Sequence, residues 1–165
     1  MTINEQIAYL QLKMPAFDRQ VINDVDNRGN AFCEMIMPNS KKPNRPITVT
    51  VTERGCSISV GQFDNVTGST TMTPEQTYAA IKDIIDDKII FALAYRDDDD
   101  TGFGAPVFSR IFAITGNDDD MSAEYDAFIA KISTPLTKFS KLFTSLKGRF
   151  VIFNYSGSLD REITR

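Results

Sequence analysis

The sequence predicts an α+β fold in which helices pack on an antiparallel sheet of about five to six strands. Residues 47–60 alternate between apolar and polar side chains, as a half-buried antiparallel pair does. Residues 89–113 hold two apolar runs joined by an acidic loop with glycine, which is the pattern of a long β-hairpin. The predicted order of elements is α-β-β-β-α-β-β-α, with an extra helix and strand at the C-terminal end.

The hairpin is expected to form the middle of the sheet. In its first strand both faces are apolar: Ile89, Phe91, Leu93 and Tyr95 on one face, and Ile90, Ala92 and Ala94 on the other. A strand without a polar face needs cover on both sides, from the protein's own helices or from a second subunit. We therefore expect a homodimer.

Helix starts are marked by two capping boxes, in which a threonine is followed three positions later by Glu or Gln. The pairs are Thr2 with Glu5, before a helix over residues 2–14, and Thr73 with Gln76, around Pro74. Further amphipathic patterns predict helices near residues 121–132 and 135–147. Residues 17–26 fit either a helix or a strand, and residues 149–155 are the last strand candidate.

Length and composition indicate one globular domain over residues 1–165, with residues 157–165 as a flexible tail. The chain is 42% hydrophobic and 24% charged, which is ordinary for a globular protein. No signal-peptide pattern and no apolar stretch of membrane-spanning length occurs, so we expect a cytoplasmic protein without a membrane partner. Two cysteines do not make a disulfide framework in a chain of this size.

Charge is distributed unevenly along the chain. Residues 64–126 carry 14 acidic and 4 basic side chains, although the whole chain has a net charge of only −4. Phosphate binding needs clustered Lys and Arg, so this segment is not expected to bind nucleic acid. It would suit a basic protein partner, or it could simply keep the protein soluble.

Three groups of residues are candidates for partner binding. Aspartates cluster after each hairpin strand, an aromatic residue lies between two glycines of the loop, and hydroxyl side chains line one face of residues 47–59. The candidates are Asp97, Asp98, Asp99, Asp100, Phe103, Asp118, Asp119, Asp120, Thr48, Thr50 and Thr52. An exposed aromatic often anchors a partner, although this one could also fold back onto the sheet. The hydroxyl row could equally be the solvated face of a sheet.

The residues usually needed for catalysis are scarce. The chain has no histidine, which removes the commonest general base and zinc ligand. Cys33 and Cys56 lie in apolar strand patterns and are expected to be buried. A calcium-loop pattern begins at Asp97, but Phe108 stands where the bidentate glutamate is required. No nucleotide-binding motif is present, so no catalytic residue, metal or cofactor is predicted.

One resemblance links these patterns. TPEQTYAAIKDIIDDKIIFALAYRDDDD followed by PVFSRIFAITGNDDDMSAEYDAFIAKI resembles the order of elements in YbjN-like proteins and in class I type III secretion chaperones. The similarity covers roughly residues 46–145; the loop DDDDTGFGA is longer than expected, and residues 148–165 have no counterpart. The resemblance implies a non-enzymatic, often dimeric, partner-binding protein.

The leading functional hypothesis is therefore a chaperone-like or adaptor module that binds another protein through its sheet and acidic loops. An alternative is an immunity-type inhibitor whose aspartates imitate a phosphate backbone and block a basic, nuclease-like target. A third is a metal-dependent enzyme that uses carboxylates alone.

Overall fold

The computed structural model describes residues 1–17, 21–26, 28–61, 63, 66, 71–96, 108–113, 119–133 and 148–164. The chain divides into two compact units, Met1–Asp86 and Asp87–Arg165. The predicted α+β class is confirmed, and all strand pairings among the described residues are antiparallel. The strands form two four-stranded sheets, whereas the sequence suggested a single sheet. The single domain stays a prediction. None of the described helices combines the length and hydrophobicity that crossing a membrane requires.

The described part of the first unit contains two helices and a four-stranded sheet in the order β1-β2-β3-β4. Its elements are α1 (Ile3–Lys13), a 3₁₀ turn (Pro15–Phe17), β1 (Val21–Val25), β2 (Ala31–Met37), β3 (Ile47–Thr52), β4 (Gly55–Val60) and α2 (Pro74–Ile85). The segment 17–26, which the sequence left open, therefore holds a turn and a strand.

Local hydrogen bonds explain where the two helices of the first unit begin. The N–H of Glu5 donates to Thr2 Oγ1 at 3.3 Å, and the N–H of Thr2 donates to Glu5 Oε2 at 2.8 Å. The same reciprocal pair joins Thr73 and Gln76 ahead of α2. Both predicted capping boxes are thus confirmed.

The core of the first unit lies between one face of the sheet and the two helices. Strict alternation places every second side chain of β2, β3 and β4 on this face. These side chains are fully or almost fully buried: Cys33, Met35, Met37, Ile47, Val49, Val51, Cys56, Ile58 and Val60. The helices and the 3₁₀ turn contribute Leu10, Phe17, Ile81 and Ile84.

The second unit has one described helix and a sheet in the order β6-β5-β7-β8. Its elements are β5 (Ile89–Arg96), β6 (Phe108–Ala113), α3 (Asp119–Ser133), β7 (Gly148–Phe153) and β8 (Arg161–Thr164). The predicted hairpin is confirmed, with β5 inside the sheet and β6 at its edge. Within the predicted tail, residues 161–164 pair with β7, which corrects that expectation. The predicted helix 135–147 lies outside the described residues.

Helix α3 covers one face of β5 and β7. The buried side chains on this face are Ile90, Ala92, Ala94, Phe150 and Ile152, and those packed against them are Tyr125, Phe128, Ile129 and Ile163. Phe91 and Leu93, which alternate with them, are also buried, with 0% and 2% exposure. Both faces of β5 are therefore covered within one chain. The strand therefore needs no second subunit for cover. The homodimer itself stays a prediction.

Candidate functional site

The hydroxyl row predicted on β3 lies on the sheet face opposite the helices. Thr48 is paired with Ser59 and Thr50 with Ser57, and all four are half-buried. Thr52 differs, because its hydroxyl donates to the carbonyl of Gly55 at 3.0 Å inside the β3–β4 turn. Thr48 and Thr50 therefore present hydroxyls on the sheet surface, whereas Thr52 stabilises the turn.

The acidic clusters fall largely beyond the described part of the chain. Asp97–Asp100, Phe103 and Asp118 are outside the described residues. Asp119 and Asp120 form the first turn of α3, where only their backbone is described. Partner binding by these residues stays a prediction, and so does the immunity-type alternative that depends on them.

An open groove of about 820 Å³ lies at one end of the first sheet, beside the start of α1. Its walls are formed by the first turn of α1, the hairpin of β1 and β2, and the β3–β4 turn. The lining residues are Met1, Thr2, Ile3, Asn4, Glu5, Asn23, Asp24, Val25, Ala31, Phe32 and Glu53. Apolar side chains make up nearly half of this set, and the rest are polar or acidic. This groove is not among the features predicted from the sequence.

The groove exists because α1 leaves the end of β1 uncovered. Register places Val25 opposite Ala31, and both are exposed, Val25 at 57%. Among the described strands none pairs with the other edge of β1. The edge of β4, by contrast, is partly covered, since Cys56 exchanges backbone hydrogen bonds with Met72 at 2.9 and 2.8 Å.

The backbone hydrogen bonds show how the edge of β1 that faces away from β2 is arranged. The N–H of Asp26 donates to the carbonyl of Asn30 at 3.0 Å, so these two residues form a hydrogen-bonded pair. Along an antiparallel ladder, hydrogen-bonded pairs alternate with pairs that exchange no hydrogen bond. Asn23 and Val25 consequently direct their backbone N–H and C=O away from β2. The N–H of Val25 donates to Asp24 Oδ1 at 2.7 Å, so the side chain of Asp24 occupies one position of this edge.

Three carboxylates give the groove a negative charge. Glu5, Asp24 and Glu53 are all exposed, and none of the lining residues is Lys or Arg. The pKa of Glu5 is lowered by the hydrogen bonds that its carboxylate accepts from Thr2, the backbone bond being the larger effect. Glu5 is therefore ionised at neutral pH. The same carboxylate takes part in the capping box and lines the groove.

A buried polar contact joins α1 to the sheet beside the groove. Gln6, with 2% exposure, donates from Nε2 to the carbonyl of Thr52 at 2.8 Å. The thiol of Cys56 lies 3.5 Å from Gln6 Oε1. Burial raises the pKa of the Cys56 thiol, although a hydrogen bond to Thr77 opposes the shift. Burial likewise raises the pKa of Cys33. Both thiols are protonated at neutral pH, which does not suit a nucleophile.

No group of three or more metal-ligating side chains occurs in the part of the chain that the structure describes. The feature that the described residues do form is the open groove, a concave and partly apolar surface with acidic borders.

Comparisons with models of protein families, with curated proteins and with solved structures find no match to this chain. The resemblance to YbjN-like proteins and class I type III secretion chaperones is neither supported nor refuted, and stays a prediction.

Proposed function

We propose that this protein is a non-enzymatic module that binds another protein, in the manner of a chaperone or adaptor, and that the first unit carries the binding site. The groove beside β1 is the observation that supports this most strongly. It combines exposed apolar side chains with a polar, acidic border, as interfaces do. Small-molecule sites enclose most of their ligand, whereas this groove is open to solvent.

The sheet contributes in two ways to the proposed binding. Its edge strand β1 presents the exposed side chain of Val25 directly at the groove. Its outer face carries Thr48 and Thr50, with Ile36 and Glu34 directly opposite them on β2. A partner held in the groove could extend over this largely polar face.

The test is an affinity purification with the tagged protein from extracts of its native cells. Val25→Asp adds a charge to the groove and should reduce recovery of the partner at least tenfold. Leu12→Asp is the matched control: Leu12 is 79% exposed on α1, does not line the groove, and should leave recovery unchanged. Circular dichroism should show that both variants fold.

Two results would contradict the proposal. One is the reproducible absence of any enriched protein. The other is full recovery of the partner by Val25→Asp. Substrate turnover by the purified chain would contradict the non-enzymatic part separately.

A further inference from the structure

We infer that the carboxylate of Asp24 protects the outer edge of β1, and that without it a second copy of this chain adds its own β1 to the sheet at this edge. The inference goes beyond the proposed function, because it concerns association of the chain with itself and not the partner held in the groove.

The outer edge of β1 has the features that strand addition requires. Asn23 and Val25 direct their backbone N–H and C=O away from β2, and both residues are exposed. An edge strand of this kind is a template for pairing with another chain. Valine and isoleucine, which favour strands, make up most of β1, and Asp24 is its only charged residue. Asp24 is therefore the one residue of the strand whose charge opposes such pairing.

Asp24 acts at the position where an added strand needs a donor. The N–H of Val25 points to the outer edge and already donates to Asp24 Oδ1 at 2.7 Å. An added strand must break this hydrogen bond before the N–H can donate to a carbonyl of that strand. The carboxylate must also lose water where the new strand lies, and burying a charge without a partner is costly. Charged side chains protect the edges of natural sheets in this way.

The sequence of β1 makes a second copy the strand that fits this edge. Antiparallel pairing about a two-fold axis at Asn23 places Val21 opposite Val25 of the second copy. The residues directed outwards then face each other in pairs that exchange hydrogen bonds, as an antiparallel ladder requires. The same register places Asp24 opposite Ile22 of the second copy, and isoleucine offers no group that pairs with a carboxylate. Asp24 is thus the unfavourable position in an otherwise matching register.

The test compares the native chain with Asp24→Val, which removes the carboxylate and adds a β-branched side chain. Multi-angle light scattering should show that the weight-average mass of Asp24→Val is at least twice that of the native chain at the same concentration. A homodimer formed through another surface does not affect this ratio. Hydrogen exchange at the amide of Asn23, which is directed to the edge, should become slower in Asp24→Val.

Two further variants assign the change to the edge. Glu34→Val makes the comparable substitution on β2, on the same face but inside the sheet, and should keep the native mass. Asp24→Val combined with Val25→Pro should also keep the native mass, because proline removes the N–H directed outwards. Proline is tolerated there, since an edge strand does not use that N–H for pairing with its neighbour. Circular dichroism should show that each variant folds, and Asp24→Ala replaces Asp24→Val if the latter does not.

Three results would overturn the inference. One is a native mass for Asp24→Val, and another is an equal increase in mass for Asp24→Val and Glu34→Val. The third is an increase that persists when Val25→Pro is added, because association then does not use the edge of β1. Recovery of the cellular partner is measured separately, so the proposed function can hold when this inference fails.

Discussion

Replacing Gln6 by alanine tests how α1 is held on the sheet of the first unit. Gln6 is a polar side chain with 2% exposure in an otherwise apolar layer. Its amide donates to the carbonyl of Thr52 at 2.8 Å, and its Oε1 lies 3.5 Å from the thiol of Cys56. Alanine keeps the helix but removes both contacts.

Three contributions determine the size of the effect. Removing only the donor leaves the carbonyl of Thr52 without this partner, which costs about 1–3 kcal/mol rather than the roughly 1 kcal/mol net value of the bond itself. The space left by the amide adds to this loss, whereas the better helix propensity of alanine offsets only a few tenths of a kcal/mol. The free energy of unfolding should therefore fall by about 2–4 kcal/mol.

Urea unfolding followed by circular dichroism measures this change. Gln11→Ala makes the same substitution at a half-buried position of the same helix and should cost under about 0.5 kcal/mol. Gln6→Met fills the space without a donor and should lie between the two. Native thiol labelling supplies a second readout, because Gln6→Ala should also speed the labelling of Cys56. The reasoning is refuted if Gln6→Ala and Gln11→Ala are equally stable and equally slow to label.

Two further predictions concern the same unit. Gly55→Ala should lower the free energy of unfolding by more than Gly29→Ala: both residues have positive φ, at +128° and +83°, but only at Gly55 would the added Cβ lie 2.7 Å from the carbonyl of Met72. Equal losses in urea unfolding would contradict this. Stability should also fall as pH rises above about 8.5, because the unfolded chain then releases thiol protons that buried Cys33 and Cys56 retain. Unfolding of the Cys33→Ala and Cys56→Ala double variant at pH 7 and pH 10 should show a smaller fall.

Local signals in the sequence predicted most of the described elements. Capping boxes at Thr2 and Thr73 locate the starts of α1 and α2, because they depend on residues three positions apart. Alternation over residues 47–60 predicts both the strands and their buried face. The hairpin at 89–113 follows from two apolar runs with turn residues between them.

Features that depend on distant residues were not predictable in the same way. The division into two sheets depends on which strands pair, and β5 finds its second neighbour in β7, far along the chain. Over residues 3–14 the apolar side chains Ile3, Ile7, Leu10 and Met14 recur at helical spacing, whereas the buried residues of α1 are Gln6 and Leu10. Nothing within the helix marks Gln6 as buried, because its partners are on β3 and β4.

The candidate site could not be read from the sequence because its residues come from four separate segments. Apolar Val25 and Phe32 each look like ordinary strand residues, and Glu53 looks like an ordinary turn residue. Only the pairing of β1 with β2, together with the position of the first turn of α1, brings Val25, Ala31 and Glu5 to one groove. A partial signal did exist, since residues 17–26 were a strand candidate that contains both valine and acidic residues.

The capping box connects the stability of α1 with the chemistry of the groove. Glu5 accepts the N–H of Thr2 and so helps to determine where the helix begins, which in turn determines how much of β1 stays uncovered. The same carboxylate lines the groove that this arrangement leaves open. A capping box can also be closed by Gln, as Gln76 does ahead of α2. The charge of Glu5 adds a favourable interaction with the N-terminal end of the helix dipole, and the same charge lies at the groove.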